Sequence, residues 1–208
     1  MNDRHEPPRY PGYDVLDKRN TPSWDDATRM VIDDRLATPN EPIWCNAEQW
    51  RTLRALCAVM IPQPNDRPPV PLAALVDRRI AHGGSDGYRN AQLPPLQRAW
   101  QIGLAALDDA SRQRHQAAFA DLGESDRIEL LNEMERGNLN GESWAHMPSQ
   151  LFFTQRVLND ICTTYYSHPT AWSDIGFGGP ANPRGYVRMN FNRRDPWEAV
   201  RKEPSRAR

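Results

Sequence analysis

Five histidines and three cysteines are the residues best equipped for chemistry in this chain, as bases, metal ligands or nucleophiles. Their spacing argues against all three roles. His5, His82, His115, His146 and His168 form no H-x-x-x-H or E-x-x-H pattern on a helix face. His82 precedes Gly83-Gly84 and suits the last turn of a helix, where the dipole favours it. His115 lies in a polar run and is expected in solvent, and His168, before Pro169, is expected as a turn or contact residue. Cys45, Cys57 and Cys162 make no C-x-x-C, which excludes the common zinc, thioredoxin-like and c-type haem patterns. Their odd number excludes a fully paired intrachain framework, and an iron–sulfur cluster held by this chain alone would usually need four thiolates. Buried free thiols are the expectation. The acid pairs Asp25-Asp26, Asp33-Asp34 and Asp108-Asp109 have no base nearby in sequence. Gly176 to Pro180 reads G-F-G-G-P, but it does not join a strand to a helix and so lacks the setting of a phosphate loop. No catalytic, cofactor-binding or metal-binding residue is assigned, and the weight shifts to binding.

The segment from Ala171 to Trp197 favours binding. It carries five aromatics and four arginines without a helix or strand period. Residues 167 to 208 have a net charge of +4 and the remainder a net charge of −5. A basic, aromatic tail on an acidic body suits an acidic partner surface, and Arg and Trp dominate binding energy at interfaces. The candidate partner contacts are Trp172, Phe177, Arg184, Tyr186, Arg188, Phe191, Arg193, Arg194 and Trp197. The alternative is that the tail folds back over its own bundle, and the two can hold for different residues.

The elements that must carry such a tail follow from composition and period. The chain has 208 residues, 38% of them hydrophobic, with 19 Pro. A core of that size is affordable only if part of the chain stays outside it. Residues 1–45 hold Pro7, Pro8, Pro11, Pro22, Pro39 and Pro42 and predict an extended arm, with at most a short helix near Asp25 to Leu36. Residues 46–166 predict five helices. The first starts at an Asn46–Gln49 capping box and stops at Pro62. The second runs from Pro71 to Gly83, the third from Pro94 to His115, the fourth from Gly123 to Gly137, and the fifth starts at Pro148. The fifth helix's apolar face is Leu151, Phe152, Leu158, Ile161, Cys162 and Tyr165. Residues 167–208 predict an irregular tail. The fold class is therefore all-α, a small bundle with an extended arm and an irregular tail. The net charge of −1 gives no field for nucleic acid, and no apolar run is long enough to insert in a membrane. The first 45 residues show no export signal, so the expected location is the cytoplasm, or the periplasm by co-export with a partner.

Three stretches in order resemble the gluconate 2-dehydrogenase subunit 3 family. They are W-R-T-L-R-A-L-C-A-V-M-I-P-Q-P-N-D at Trp50 to Asp66, the segment Gly103 to Glu135, and Y-Y-S-H-P-T-A-W-S-D-I-G-F-G-G-P at Tyr165 to Pro180. The last is the most specific. The resemblance implies a non-catalytic small subunit of a flavin-dependent sugar or alcohol dehydrogenase. Its partner would be a large FAD-binding subunit of the glucose–methanol–choline (GMC) oxidoreductase type, holding the flavin and the catalytic residues. A cytochrome c or iron–sulfur centre serves as electron acceptor in several such complexes. A dissociable chaperone for the flavoprotein, or an enzyme in its own right, are the alternatives. Many family members carry a twin-arginine signal and a D-P-x-Y-G-G turn after the last helix, whereas this chain has S-H-P-T-A-W at Ser167 to Trp172.

Overall fold

The computed structural model of the protein describes residues 10–64, 68–83, 87, 90–182, 185 and 195–202. It is all-α, with no strand among the described residues. The chain divides into two compact units, one of Thr38–Tyr165 and one made from its two ends, Met1–Ala37 with Tyr166–Arg208. The arm and the tail, which composition separates, therefore belong to the same unit.

In the central unit the helices start and stop where local chemistry dictates. The first helix of the chain, α1 (Asp26–Leu36), belongs to the other unit. Here α2 (Ala47–Met60) opens on a reciprocal cap: Gln49 N–H donates to the Asn46 side chain at 2.9 Å, and Asn46 N–H donates to the Gln49 carboxamide at 3.0 Å. Helix α3 (Leu72–His82) ends on Gly83, whose φ of 65° is left-handed. The His82 ring nitrogen Nδ1 lies 2.6 Å from the Arg78 carbonyl, a terminal-turn contact. Helices α4 (Leu96–His115) and α5 (Glu124–Glu135) follow.

The last long helix of this unit is not uniform. It begins as α6 (Ser149–Phe152), widens into a π-helical stretch (Phe153–Leu158) and resumes as α7 (Asn159–Tyr166). A regular 3.6 period puts Leu158 on the buried face. The wider i→i+5 turn rotates the register instead, burying Phe153 and Val157 and leaving Leu158 42% exposed.

Helix α4 lies at the centre, packed against α2, α3, α5, α6 and the π-helical stretch. It allows one very close approach. A Cβ on Gly103 would fall 2.1 to 2.5 Å from the Phe152 ring, so the ring rests directly on the α4 backbone. Trp100, one turn earlier, meets the same ring edge-on, with centroids 5.4 Å apart, and Trp144 meets it at 6.1 Å.

Two buried carboxylates tie loops and helices into this core. Asp160 is fully buried; its two oxygens accept the Trp100 indole N–H at 2.8 Å and the Arg79 Nε–H at 3.3 Å. Asp77 is also fully buried and accepts the backbone N–H groups of Ile43, Trp44 and Cys45 at 2.6, 3.0 and 2.8 Å. That triple contact fixes the segment before α2 onto α3. The three cysteines are free thiols, and burial pushes the Cys45, Cys57 and Cys162 thiols upward, away from the reactive thiolate.

Two substitutions test this core. Gly103→Ala forces a methyl group into the Phe152 ring and is expected to cost at least the roughly 1–3 kcal/mol of core overpacking, read as a lower urea midpoint at unchanged slope. Asp77→Asn leaves at least one of the three N–H groups without an acceptor, because one carboxylate oxygen takes two of them and the carboxamide has a single oxygen. At roughly 1–3 kcal/mol per orphaned donor, a loss of at least about 1–3 kcal/mol is expected, with faster amide exchange in the segment Ile43 to Cys45.

Candidate functional site: the clasp of arm and tail

The unit made from the chain ends is built on three short helical elements. A 3-10 turn spans Val15–Asn20, with the Asp14 side chain accepting the Leu16 N–H at 2.9 Å. Helix α1 is capped by Asp25, which accepts the Thr28 N–H at 2.8 Å, and that bond holds the Asp25 carboxyl below the usual range. Helix α8 (Pro169–Ile175) starts with Pro at its first turn and ends on Gly176 at φ 68°. The tail is therefore not irregular throughout, as its composition predicts. Short helices with a proline start and a glycine stop have too few residues to show a period.

Val15, Trp24, Ile32 and Trp172 form a core, with Tyr13 and Leu16 packed on it. The Trp172 indole N–H donates to the Tyr166 carbonyl at 2.6 Å. Trp172 is only 5% exposed. Removing an indole from water takes away about 150–250 Å² of surface, roughly 4–6 kcal/mol before ordering costs.

Among the described residues beyond α8 no helix or strand follows, and the arm supplies partners to the backbone there. Tyr13 Oη donates to the Phe177 carbonyl at 3.1 Å, and Lys18 Nζ donates to the Gly178 carbonyl. Trp24 Nε1 donates to the Pro180 carbonyl and the Asp25 N–H to the Asn182 carbonyl, both at 2.9 Å. Asn182 Nδ2 returns a bond to the Asp25 carboxylate at 2.7 Å, and Trp24 and Asn182 form an isolated parallel bridge. The glycine-rich G-F-G-G-P stretch is thus a strap gripped along its carbonyls. Gly179 sits at φ 62°, and a Cβ there would stand 3.0 Å from both Trp172 and Val15, so glycine is what lets the strap close over the indole.

The nine proposed partner contacts fall into three groups. Arg184, Tyr186, Arg188, Phe191, Arg193 and Arg194 lie outside the described residues. Trp172 fills the chain's own core, so its ring is no free anchor for another surface. Phe177 is 46% exposed and held edge-on against Trp172 at 5.9 Å, while Trp197 is half-buried. Sequence spacing missed the arm residues Tyr13, Lys18 and Trp24, which hold the strap. Their one signal was an aromatic or a long cation in an otherwise polar, proline-rich arm.

Two members of the acid pairs are engaged structurally. Asp33 pairs with Arg19. Asp108 accepts the Phe119 N–H and the Arg112 guanidinium, both at 2.9 Å. Among the described residues, no group of three or more His, Cys, Asp or Glu could hold a metal, and no helix is long and apolar enough to cross a membrane.

His168 is 4% exposed and caps α8, its Nδ1 accepting the Thr170 N–H at 3.3 Å. Burial, with the Arg35 guanidinium second, lowers its pKa below 6.5; a bond to the Arg35 backbone opposes this. The unfolded chain therefore takes up the proton first. His168 leaves stability intact above about pH 6.5 and lowers it as pH falls from there toward the folded value. Thermal melts of this unit are expected to shift downward between pH 7 and pH 5. His168→Asn, which caps without titrating, is expected to flatten that dependence.

No curated protein and no solved structure matches the chain significantly. The family model described as gluconate 2-dehydrogenase subunit 3 matches residues 47–179, from the first turn of α2 to the strap glycines over Trp172. The chain belongs to the gluconate 2-dehydrogenase subunit 3 family.

Proposed function

We propose that this protein is the non-catalytic small subunit of an FAD-dependent sugar or alcohol dehydrogenase complex, and that it stabilises a large GMC-type flavoprotein subunit. The family match over residues 47–179 carries the reading, because a subunit of that family is a component of a dehydrogenase complex. The fate of the polar groups supports it. Asp77, Asp160 and His168, all buried, each serve hydrogen bonds that hold a loop, a neighbouring helix or a helix end. In this reading the flavin belongs to the partner. This chain contributes a rigid helical body and the basic, aromatic stretch after the strap, where Arg184, Arg188, Arg193 and Arg194 face acidic groups of the large subunit. Phe177, exposed and held in place by its contact with Trp172, is the described ring best placed for a pocket on that subunit.

The test is truncation after Asn182, which keeps every residue of the core and of the clasp and removes the four arginines together with Trp197 and the three arginines that follow. The shortened chain is expected to melt cooperatively, as the full chain does, but to lose the flavin-containing subunit on co-purification. Full recovery of that subunit with the shortened chain would show that these arginines are not its main contact. An isolated full-length chain that oxidises a sugar unaided would overturn the reading as a whole.

A further inference from the structure

Within the central unit, a groove of about 310 Å³ runs between the first two turns of α2 and the middle of α4. Its two buried lining residues, Thr52 and Leu104, form the floor. Glu48 stands one turn before Thr52 on α2, and Ala105 one turn before Asp109 on α4, so each helix supplies a wall. Thr52 is 4% exposed, and its hydroxyl has no hydrogen-bond partner among the described residues. A buried polar group that its own chain does not use calls for a reason.

The acids around this hydroxyl differ in what they already hold. Asp108 is fully engaged: one oxygen accepts the Phe119 N–H and the other the Arg112 guanidinium, both at 2.9 Å. That pair also neutralises Arg112. Asp109 accepts the uncharged Gln113 carboxamide at 2.9 Å and pairs with no cation among the described residues. Glu48 has neither a hydrogen bond nor an ion pair from its side chain among them. The groove thus combines two carboxylates that lack a cation, a hydroxyl that lacks a partner, and an apolar floor.

We infer that this groove receives an arginine side chain of the dehydrogenase partner. The arginine stem lies on Leu104 and Ala105, and the guanidinium donates to Glu48, Asp109 and the Thr52 hydroxyl. Chemistry selects this occupant. An anionic group would meet two unpaired carboxylates. A metal ion needs acids converging on one point, and no three do so among the described residues. A guanidinium carries five donors spread over a planar fork, so it can serve acceptors that stand apart, and its stem covers apolar surface. Asn46, Glu48, Ala105 and Arg112 on the rim are exposed. The groove is therefore open along its length and cannot enclose most of a free small molecule, as small-molecule sites do. A side chain presented by a docked protein needs no such enclosure.

The inference rests on the proposed subunit role, and the experiment separates the two. The full chain, tagged, is purified from cells that make the whole complex, and the co-purified flavin-containing subunit is quantified. Thr52→Val removes the hydroxyl at nearly constant shape. Because that hydroxyl has no partner in its own chain, the melting temperature of the isolated chain is expected to hold or rise. Recovery of the flavin-containing subunit is expected to fall roughly ten-fold, the effect of losing a hydrogen bond to a charged group. Glu48→Gln with Asp109→Asn keeps shape and removes charge, and is expected to lower recovery further, most at low salt. A photo-crosslinker at position 105 is expected to label the flavin-containing subunit beside an arginine. Undiminished recovery with either variant overturns the arginine pocket and leaves the subunit role standing. A crosslink to a second copy of this chain, or to a segment of the subunit without arginine, overturns the pocket as well. Absence of any flavin-containing subunit with the unsubstituted chain overturns the subunit role, and the pocket with it.

Discussion

An irregular chain segment can stay beside a hydrophobic core only if its backbone carbonyls find donors, because an unmade hydrogen bond away from water costs more than a made one returns. The strap from Gly176 to Asn182 faces that constraint directly. It has no partner strand, and its glycines and proline exclude a helix. Four groups of the arm supply what it lacks: a phenol, an ammonium, an indole and a backbone amide. The burial of Trp172 follows from this. Without the arm above it, the strap has no reason to cover the indole, and the core of Val15, Trp24 and Ile32 has nothing to close on.

The helical unit meets the same constraint differently. Its cores are apolar, but two carboxylates sit fully inside it, and each is aimed at donors from a different part of the chain. Asp77 collects three consecutive amides from the segment before α2. Asp160 joins α7 to the indole of α4 and the guanidinium of α3. Apolar residues at these positions could be buried at less cost in desolvation. What the carboxylates supply is direction, since only one placement of loop and helix satisfies them. The π-helical stretch just before Asp160 belongs to the same arrangement, because its wider turn sets the phase in which that carboxylate faces Trp100.

The helical unit was largely legible in the sequence. Its signals are local: the Asn46–Gln49 cap, Gly83 after α3, and periodic leucines on α4. The misreading there has a specific cause: Leu158 points outward because of the π turn. The end unit was much less legible. Trp172 looked like a binding anchor because a tryptophan among glycines and prolines has no local explanation. Its explanation is a core shared with Trp24, which stands near the other end of the chain. Helix α8 was missed because seven residues cannot show a period, although a proline at its start and Gly176 at its end mark both limits. The candidate contacts were assigned from residue type alone. That method finds rings and guanidiniums but cannot tell one that is already covered from one that is not.

Because the arm and the strap are more than 150 residues apart, Trp24 is made long before Pro180 exists to receive its indole proton. At ribosomal rates of about 5–20 residues per second, the interval is on the order of ten seconds. Throughout it, a polar, proline-rich leader with an uncovered tryptophan must wait while the helices downstream emerge and pack. The end unit is therefore the last part of the molecule that can assemble, and a nascent chain interrupted before the strap leaves its first forty residues with nothing to fold against.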